Sequence, residues 1–427
     1  MIMEGFWVKG GECIQGTVCI DSAKNAVLPI LAAAILTRDT VKIDHCPGLM
    51  DVYAMESMLK MLGCDCCWQG KCLTIESSRL HNWEMPDAIS KQIRSSIFLL
   101  GPILGRLRKA TVTYPGGCEI GIRPIDLHLK GLRALGVRIT DGEGILYCDG
   151  SAMHAGDVYL DYPSVGATEN VMMAAALLKG TTYIHNAARE PEIEDLERFI
   201  NAMGGKIRGA GTQLIEIEGV NKLCGVTYRP MPDRIAAGTL LCAAAITGGE
   251  VTLENVCPRD LMAVEDKLTE MGCRMYDEET RVHLTAPKAL KAFSTLQTQP
   301  HPGFPTDMQA QMMAVSCMAK GTGVIVENVF ESRFAHVSDL NRMGARIRVN
   351  GRVAVIEGTG KLYGRRVCAR DLRGGAALVL AGLAAEGETV IENARLIDRG
   401  YEALEHTLTM LNGRIQRITL KTDGGIQ

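Results

Sequence analysis

The sequence has no long apolar run. Its longest, such as Ala26 to Leu36, fall well short of the roughly 20 residues a bilayer-spanning helix needs, which argues for a soluble protein. Charge of one sign is lacking too: 46 Lys and Arg stand against 49 Asp and Glu, a net charge of -3. That balance gives no electrostatic case for nucleic acid as the main partner, although local Arg and Lys clusters could hold a small anion. No secretory leader precedes the 15 cysteines, so these read as reduced thiols of a cytosol rather than a disulfide framework. The nine histidines, His301 among them, show no metal or triad spacing and read as structural.

What the chain does have is repetition. A group of glycine, small, polar and apolar residues recurs as Gly63-Cys64-Asp65-Cys66, Gly136-Val137-Arg138-Ile139 and Gly204-Gly205-Lys206-Ile207. It returns as Gly272-Cys273-Arg274-Met275, Gly344-Ala345-Arg346-Ile347 and, with Asn for Gly, Asn412-Gly413-Arg414-Ile415. The spacing is roughly 70 residues, a period that marks a repeated structural unit. Upstream of each copy lies a short β-type run: Thr40–Ile43, Thr111–Thr113, Thr182–Ile184, Glu250–Leu253, Gly323–Val326 and Glu388–Ile391. An amphipathic helix follows, such as Glu194–Met203 or Tyr401–Leu411, and the glycine ends it. Alternating residues then predict a strand pair, as over Arg346–Ile356.

A second helix precedes each unit, rich in Ala, Leu and Met and apolar on nearly all sides. These are predicted at Lys24–Leu36, Arg94–Leu104, Ala167–Leu178, Asp233–Ile246, Thr306–Met318 and Leu372–Ala384. A helix apolar all round must be buried all round. Three such helices per lobe would therefore pack together beneath sheets and amphipathic helices, and six units would make two lobes. The cluster Cys64, Cys66, Cys67 and Cys72 suggests a metal site, but the repeats argue otherwise. Cys64 aligns with Val137, Cys273 and Ala345, and Cys66 with Ile139, Ile207, Met275, Ile347 and Ile415, where cysteine serves as a small hydrophobe.

The first turns of the buried helices are the exception to their apolarity: Lys24 and Asn25, Arg94, Thr168, Asp233 and Arg234, Asp307, and Arg373. Helix N-termini favour anions, so cations there gain nothing from the helix and point to another partner. If the six N-termini converge on a cleft, they form a pocket for a highly anionic ligand. Taken singly, each is equally a surface charge, and Asp233 and Asp307 are equally helix caps. Ser164-Val165-Gly166 could cradle a phosphate or simply cap its helix, and Asp398-Arg399 could be a local pair. The Gly- and Pro-rich stretch Thr113–His128 reads mostly as an exposed loop with Cys118 at its crown. A thiol on such a loop becomes reactive beside cations such as Arg123; an incidental cysteine is the alternative.

Lys24-Asn25, Pro115-Gly116-Gly117-Cys118, Arg123-Pro124-Ile125-Asp126-Leu127-His128, Phe304-Pro305-Thr306-Asp307-Met308-Gln309-Ala310-Gln311 and Ile397-Asp398-Arg399-Gly400-Tyr401-Glu402 together closely resemble a known family. It is that of the UDP-N-acetylglucosamine 1-carboxyvinyltransferases, the enolpyruvyl transferases that open bacterial peptidoglycan synthesis. The resemblance runs from about residue 5 to about residue 418. It implies an α/β enolpyruvyl transferase fold of two inside-out α/β barrel lobes with three repeated units each. Residues 24–231 would form one lobe, carrying the Cys118 loop, and 1–23 with 232–427 the other, carrying Asp307.

The resemblance also implies a reaction: phosphoenolpyruvate gives its enolpyruvyl group to the 3'-hydroxyl of UDP-N-acetylglucosamine, through a tetrahedral ketal, and phosphate leaves. No cofactor and no metal are implied, nor a nucleic-acid or membrane partner, and the expected location is the cytoplasm. Cys118 would donate the proton to the methylene carbon, Asp307 would act as general base, and Lys24, Arg123 and Arg399 would clamp the phosphate with Arg94 and Arg373 close by. Arg123, Pro124, Ile125, Asp126 and Leu127 match the uridine loop, and Ser164, Val165 and Gly166 the diphosphate contact. Asn25 and Val329 match contacts to sugar or phosphoenolpyruvate. With cysteine rather than aspartate at 118, sensitivity to fosfomycin is expected, and ligand binding is expected to draw the Cys118 loop over a closing cleft.

Asp21-Ser22, Tyr162 and Gly374 depart from the family's usual residues, and Tyr162 puts one diphosphate contact in doubt. Two other readings stay open. A shikimate 3-phosphate enolpyruvyl transferase would lack the Pro-Gly-Gly-Cys loop and carry a Ser-Lys-Ser type run near its first lysine. A catalytically idle paralogue that binds UDP-sugar and regulates a partner would be expected to have lost Cys118 or Asp307.

Overall fold

The computed structural model describes residues 2–85, 94–113, 125–142 and 144–421. They form two compact units, one from the described residues of 22–231 and one from the described residues of 1–21 with 232–427. Each has its own hydrophobic core.

Among the described residues, six sheets carry the repeat. In five of them the β-type run is flanked by a parallel edge strand on one side and an antiparallel pair on the other. Gly321–Val326 is typical: it pairs in parallel with Thr295–Gln297 and antiparallel with Val353–Gly358, which pairs with Arg346–Asn350. The sheet of Lys109–Thr113 has three strands, its parallel edge reduced to a bridge from Glu84 to Thr111. The sixth sheet departs from the expected local strand pair. Glu388–Glu392 pairs antiparallel with Ile2–Lys9, which pairs with Arg414–Lys421, so the first strand of the chain completes the last repeat.

The six terminators behave alike. Gly63, Gly136, Gly204, Gly272 and Gly344 have φ between 85° and 101°, and Asn412 has φ 70°. This left-handed turn suits glycine, and asparagine tolerates it best among the others. Just after the glycine, Cys64, Val137, Cys273 and Ala345 are all buried. Burial pushes the Cys64 and Cys66 thiols up to about 12, away from the thiolate that a metal or a nucleophile requires.

Each unit is built on three apolar helices. In residues 1–21 with 232–427 these are Arg234–Thr247, Gln309–Cys317 and Leu372–Ala384; every residue of Gln309–Cys317 is buried. In residues 22–231 they are Lys24–Ala33, Leu100–Leu107 and Val165–Ala175. The helices approach closely through glycine: a Cβ on Gly101 would lie 2.3 Å from the carbonyl oxygen of Asn170.

Several helix boundaries differ from the sequence reading, three of them near the candidate site residues. The stretch predicted as one helix over Arg94–Leu104 is a 3-10 segment, Arg94–Leu99, followed by the α-helix Leu100–Leu107. Asn170 causes the break. Its Oδ1 accepts from Gly101 N at 2.6 Å and its Nδ2 donates to Ile97 O at 3.0 Å. Those two groups would bond each other in a continuous α-helix, and the inserted carboxamide replaces that bond. Thr306–Met308 is likewise 3-10 before Gln309–Cys317 begins. The helix predicted from Tyr401 starts at Leu404, after Ala403 turns left-handed at φ 45°.

Candidate active site

Within residues 1–21 and 232–427, the first turns of the three apolar helices meet. Asp371 caps Leu372–Ala384, its Oδ1 accepting from Arg373 N at 3.0 Å and Gly374 N at 2.9 Å. This fixes Arg373 in the first turn, where its side chain is buried. Arg373 Nη2 donates to Asp307 Oδ2 at 3.0 Å, and Arg333 Nη2 donates to Asp307 Oδ1 at 2.6 Å. One carboxylate thus lies between two guanidinium groups that are each only 4% exposed, while it is itself 26% exposed. Burial works against the charge on Arg373, but Asp307, then Tyr401 and Asp233, more than offset it and hold the group above its ordinary value. Its Nε and Nη1 have no partner among the described residues, leaving charge-bearing donors for an anion.

The surroundings hold this arrangement. Arg373 lies over the Tyr401 ring at 5.4 Å and Arg333 over the Phe330 ring at 5.2 Å. The Tyr401 hydroxyl is 2.9 Å from Thr239 Oγ1 and accepts from Gln311 Nε2 at 3.2 Å; the same amide donates to Asp307 O at 2.9 Å. Glu327, fully buried, accepts from Thr298 Oγ1, Thr306 Oγ1, Val329 N and Phe330 N, tying the Asp307 turn to the Val329 loop. His336 is also buried, with both ring nitrogens unpartnered among the described residues, and burial pushes it down to about 4. It is neutral at pH 7 and adds no charge beside Arg333.

The capping alternative divides the two aspartates. Asp233 is a cap, accepting from Ile235 N and Ala236 N, whereas Asp307 faces the two arginines. Asp398 pairs with Arg417 rather than with its neighbour Arg399, which is half-buried.

Within residues 22–231, Lys24 opens its helix with Nζ 3.1 Å from Asp51, a buried carboxylate in the first turn of Met50–Met61. Asn25 is half-buried beside it. Ser164 is the N-cap of Val165–Ala175, accepting from Ala167 N at 3.4 Å; Val165 and Gly166 follow in the first turn, where backbone N–H groups lack helical partners. Thr168 is buried and accepts from Ala188 N at 3.0 Å, so it braces the chain rather than facing a ligand. Ile125 is buried, while Asp126 and Leu127 begin the helix Asp126–Ala134.

Asn170 joins these pieces. Besides Ile97 and Gly101, its Nδ2 donates to His128 Nδ1 at 2.8 Å and Gly166 O at 3.3 Å. One amide therefore links the segment after Arg94, the helix after Arg123 and the Ser164 turn. Nearby Glu169 is fully buried, with neither carboxyl oxygen paired among the described residues. Burial, then the charges of Glu192 and Glu190, raise its pKa well above the usual range.

Cys118, Arg123 and Pro124 lie outside the described residues, as does the side chain of Arg94. Among the described site residues, the structure gathers Asp307 and Arg373 directly. Sequence reading missed Arg333, Glu327 and Asn170. Only Asn170 carried a signal, as an amide within an otherwise apolar helix.

Six repeats in two units, with charged and polar groups at the first turns of buried helices, define a class. Residues 8–408 match the family model for EPSP synthase (3-phosphoshikimate 1-carboxyvinyltransferase), and the chain belongs to this family of enolpyruvyl transferases. A relative in Caldanaerobacter subterraneus subsp. tengcongensis, UDP-N-acetylglucosamine 1-carboxyvinyltransferase 2, is 48% identical over 416 residues, spanning 97% of this chain and 100% of that protein. UDP-N-acetylglucosamine 1-carboxyvinyltransferase 1 of Carboxydothermus hydrogenoformans is 46% identical, over 97% of this chain and 99% of its own. Among solved structures, the enolpyruvyl transferase NikO from Streptomyces tendae matches with TM-score 0.88 at 23% identity, over 98% of this chain and 100% of its own. EPSP synthase from Acinetobacter baumannii matches with TM-score 0.73 at 20% identity, over 97% and 100%. These two share the fold.

Proposed function

We propose that the chain transfers the enolpyruvyl group of phosphoenolpyruvate to the 3'-hydroxyl of UDP-N-acetylglucosamine with release of phosphate, the first committed step of peptidoglycan synthesis. The Asp307 carboxylate held between Arg333 and Arg373 carries this reading, because it sets a base beside cations that suit an anionic donor. Near-half identity to full-length transferases of that name supports the choice of acceptor. We place the protein in the cytoplasm, in keeping with its nucleotide-sugar substrate; no helix among the described residues is long and apolar enough to cross a membrane.

The chemistry follows from the groups. The acceptor oxygen adds to C2 of phosphoenolpyruvate while Asp307 takes its proton and Cys118 protonates C3, giving the tetrahedral ketal. Loss of phosphate and of a C3 proton restores the vinyl group. Each positioned proton transfer contributes roughly 10²–10⁴-fold. Lys24, Arg94, Arg123, Arg373 and Arg399 stabilise charge developing on phosphate and carboxylate. Uridine and diphosphate are held by residues 123–127 and the Ser164, Val165 and Gly166 turn, while Asn25 and Val329 touch sugar or donor. Asp307 begins with both oxygens engaged by arginines. An incoming phosphate or carboxylate competes for those same guanidinium groups and releases an oxygen to act as base. In this reading residues 24–231 form the lobe of Cys118, and 1–23 with 232–427 that of Asp307.

The test is phosphate release from phosphoenolpyruvate with UDP-N-acetylglucosamine or shikimate 3-phosphate, for wild type and Cys118→Ser. Release with the nucleotide sugar alone, lost in the variant, is expected. Release with shikimate 3-phosphate overturns the choice of acceptor. Binding of the nucleotide sugar without turnover by wild type makes the chain a regulatory paralogue.

A further inference from the structure

We propose that Arg417 is the positioning residue of the Arg399 turn and thereby sets the affinity for the anionic donor; this rests on the reading of Arg399 as a donor ligand. The turn lies between the 3-10 segment Ala394–Leu396 and the helix Leu404–Met410. It is bounded by two non-glycine residues in the left-handed region, Asn393 at φ 65° and Ala403 at φ 45°. Alanine gains nothing locally from that conformation, so the surroundings must impose it.

Arg417 is the surrounding group that does so. Its Nη1 and Nη2 donate to the two Asp398 oxygens at 2.8 and 2.7 Å. Its Nε and Nη2 donate to the two Glu405 oxygens at 2.7 and 3.1 Å, and Nη1 also reaches Glu4 at 3.5 Å. A guanidinium has five N–H groups, and this arrangement engages all of them. Asp398 directly precedes Arg399, and Glu405 sits in the first turn beyond Ala403, so one side chain grips the turn from both ends. Arg417 is itself fixed on Arg414–Lys421, directly opposite Phe6, with its guanidinium 4.8 Å from that ring. The other anchor is Tyr401, whose hydroxyl enters the Thr239–Gln311 network. Arg399 therefore stands between a residue tied to a sheet and a residue tied to the buried helices. With its donors consumed, Arg417 acts on substrate only through the turn.

The experiment is steady-state kinetics of the full chain. Arg417→Gln is expected to raise the KM for phosphoenolpyruvate about tenfold and leave that for UDP-N-acetylglucosamine within about twofold. Asp398→Asn, which leaves Glu405 and Glu4 in place, is expected to shift the same constant in the same direction and serves if Arg417→Gln does not fold. In an Arg399→Gln background, Arg417→Gln is expected to add less than about twofold, because both changes remove one interaction. Full additivity, or an equal rise in both KM values, overturns the role of Arg417. An Arg399→Gln protein with an unchanged donor KM overturns the reading of Arg399 and this proposal with it.

Discussion

Arg373 Nη2 donates to Asp307 Oδ2 at 3.0 Å, while the Nε and Nη1 of the same guanidinium stay unpartnered among the described residues. The carboxylate offsets one of the pair's two positive charges without exhausting its donors. Asp307→Asn is expected to lower kcat for phosphate release by about 10²–10⁴-fold. It also leaves two buried cations uncompensated, at a cost of about 3 kcal/mol in stability. Added inorganic phosphate is expected to raise the variant's thermal midpoint more than that of wild type. Equal phosphate responses would show that no anion takes up the vacated donors.

Asn170 stands in for a helical hydrogen bond between Gly101 and Ile97 and also holds His128 and Gly166. Asn170→Leu strips these partners inside a core, where each buried unpaired group costs about 1–3 kcal/mol. The expected outcome is a large drop in the denaturant midpoint, together with a raised KM for the nucleotide sugar, since Asp126 and Ser164 lose their common brace. A variant as stable as wild type would mean that the 3-10 segment forms without the amide.

Glu169 gives a pH dependence of definite sign. Its folded-state pKa is raised, so the folded protein keeps the proton that the unfolded chain releases above about pH 4.3. Its contribution to stability is full below that pH and is lost as pH rises towards the folded value. Glu169→Gln removes the titration. The stability of the variant relative to wild type is therefore expected to grow from pH 5 to pH 8.5, by about 1.4 kcal/mol for each unit of displacement covered. Denaturation curves at several pH values check this; a constant difference would mean that the carboxyl is ionised in the folded state.

Fosfomycin supplies a chemical test of Cys118. Incubation is expected to abolish phosphate release and to add one inhibitor to the Cys118 peptide, with Cys118→Asp unmodified. An unchanged peptide mass with unchanged activity would remove the thiol from the mechanism.

The repeat was readable in the sequence because its marks are local. A glycine that must turn left-handed after a helix, and small apolar residues just beyond it, are dictated by neighbours a few positions away. Leu372–Ala384 was readable to the residue for the same reason: it is one unbroken Ala- and Leu-rich run. Arg333 was not readable, since nothing near it in sequence shows that it faces Asp307. The break at Gly101 was hidden likewise, because the residue that makes it lies 69 positions further on. Ala403 was missed because alanine favours helix, and only Arg417 and Glu405 explain why it is the residue just outside one.

The strand Ile2–Lys9 lies in the interior of its sheet, between Glu388–Glu392 and Arg414–Lys421. Trp7 and its partner Glu388 are 381 positions apart. During synthesis this strand emerges long before Glu388–Glu392 and Arg414–Lys421 and has no place to pair until they have been made. Residues 22–231 can assemble on the ribosome in the meantime, whereas the remaining unit closes only once Arg414–Lys421 is available to pair. Until then an apolar strand with Phe6 and Val8 on one face stays open to wrong partners, so the yield of active protein depends on how fast the last repeat is translated.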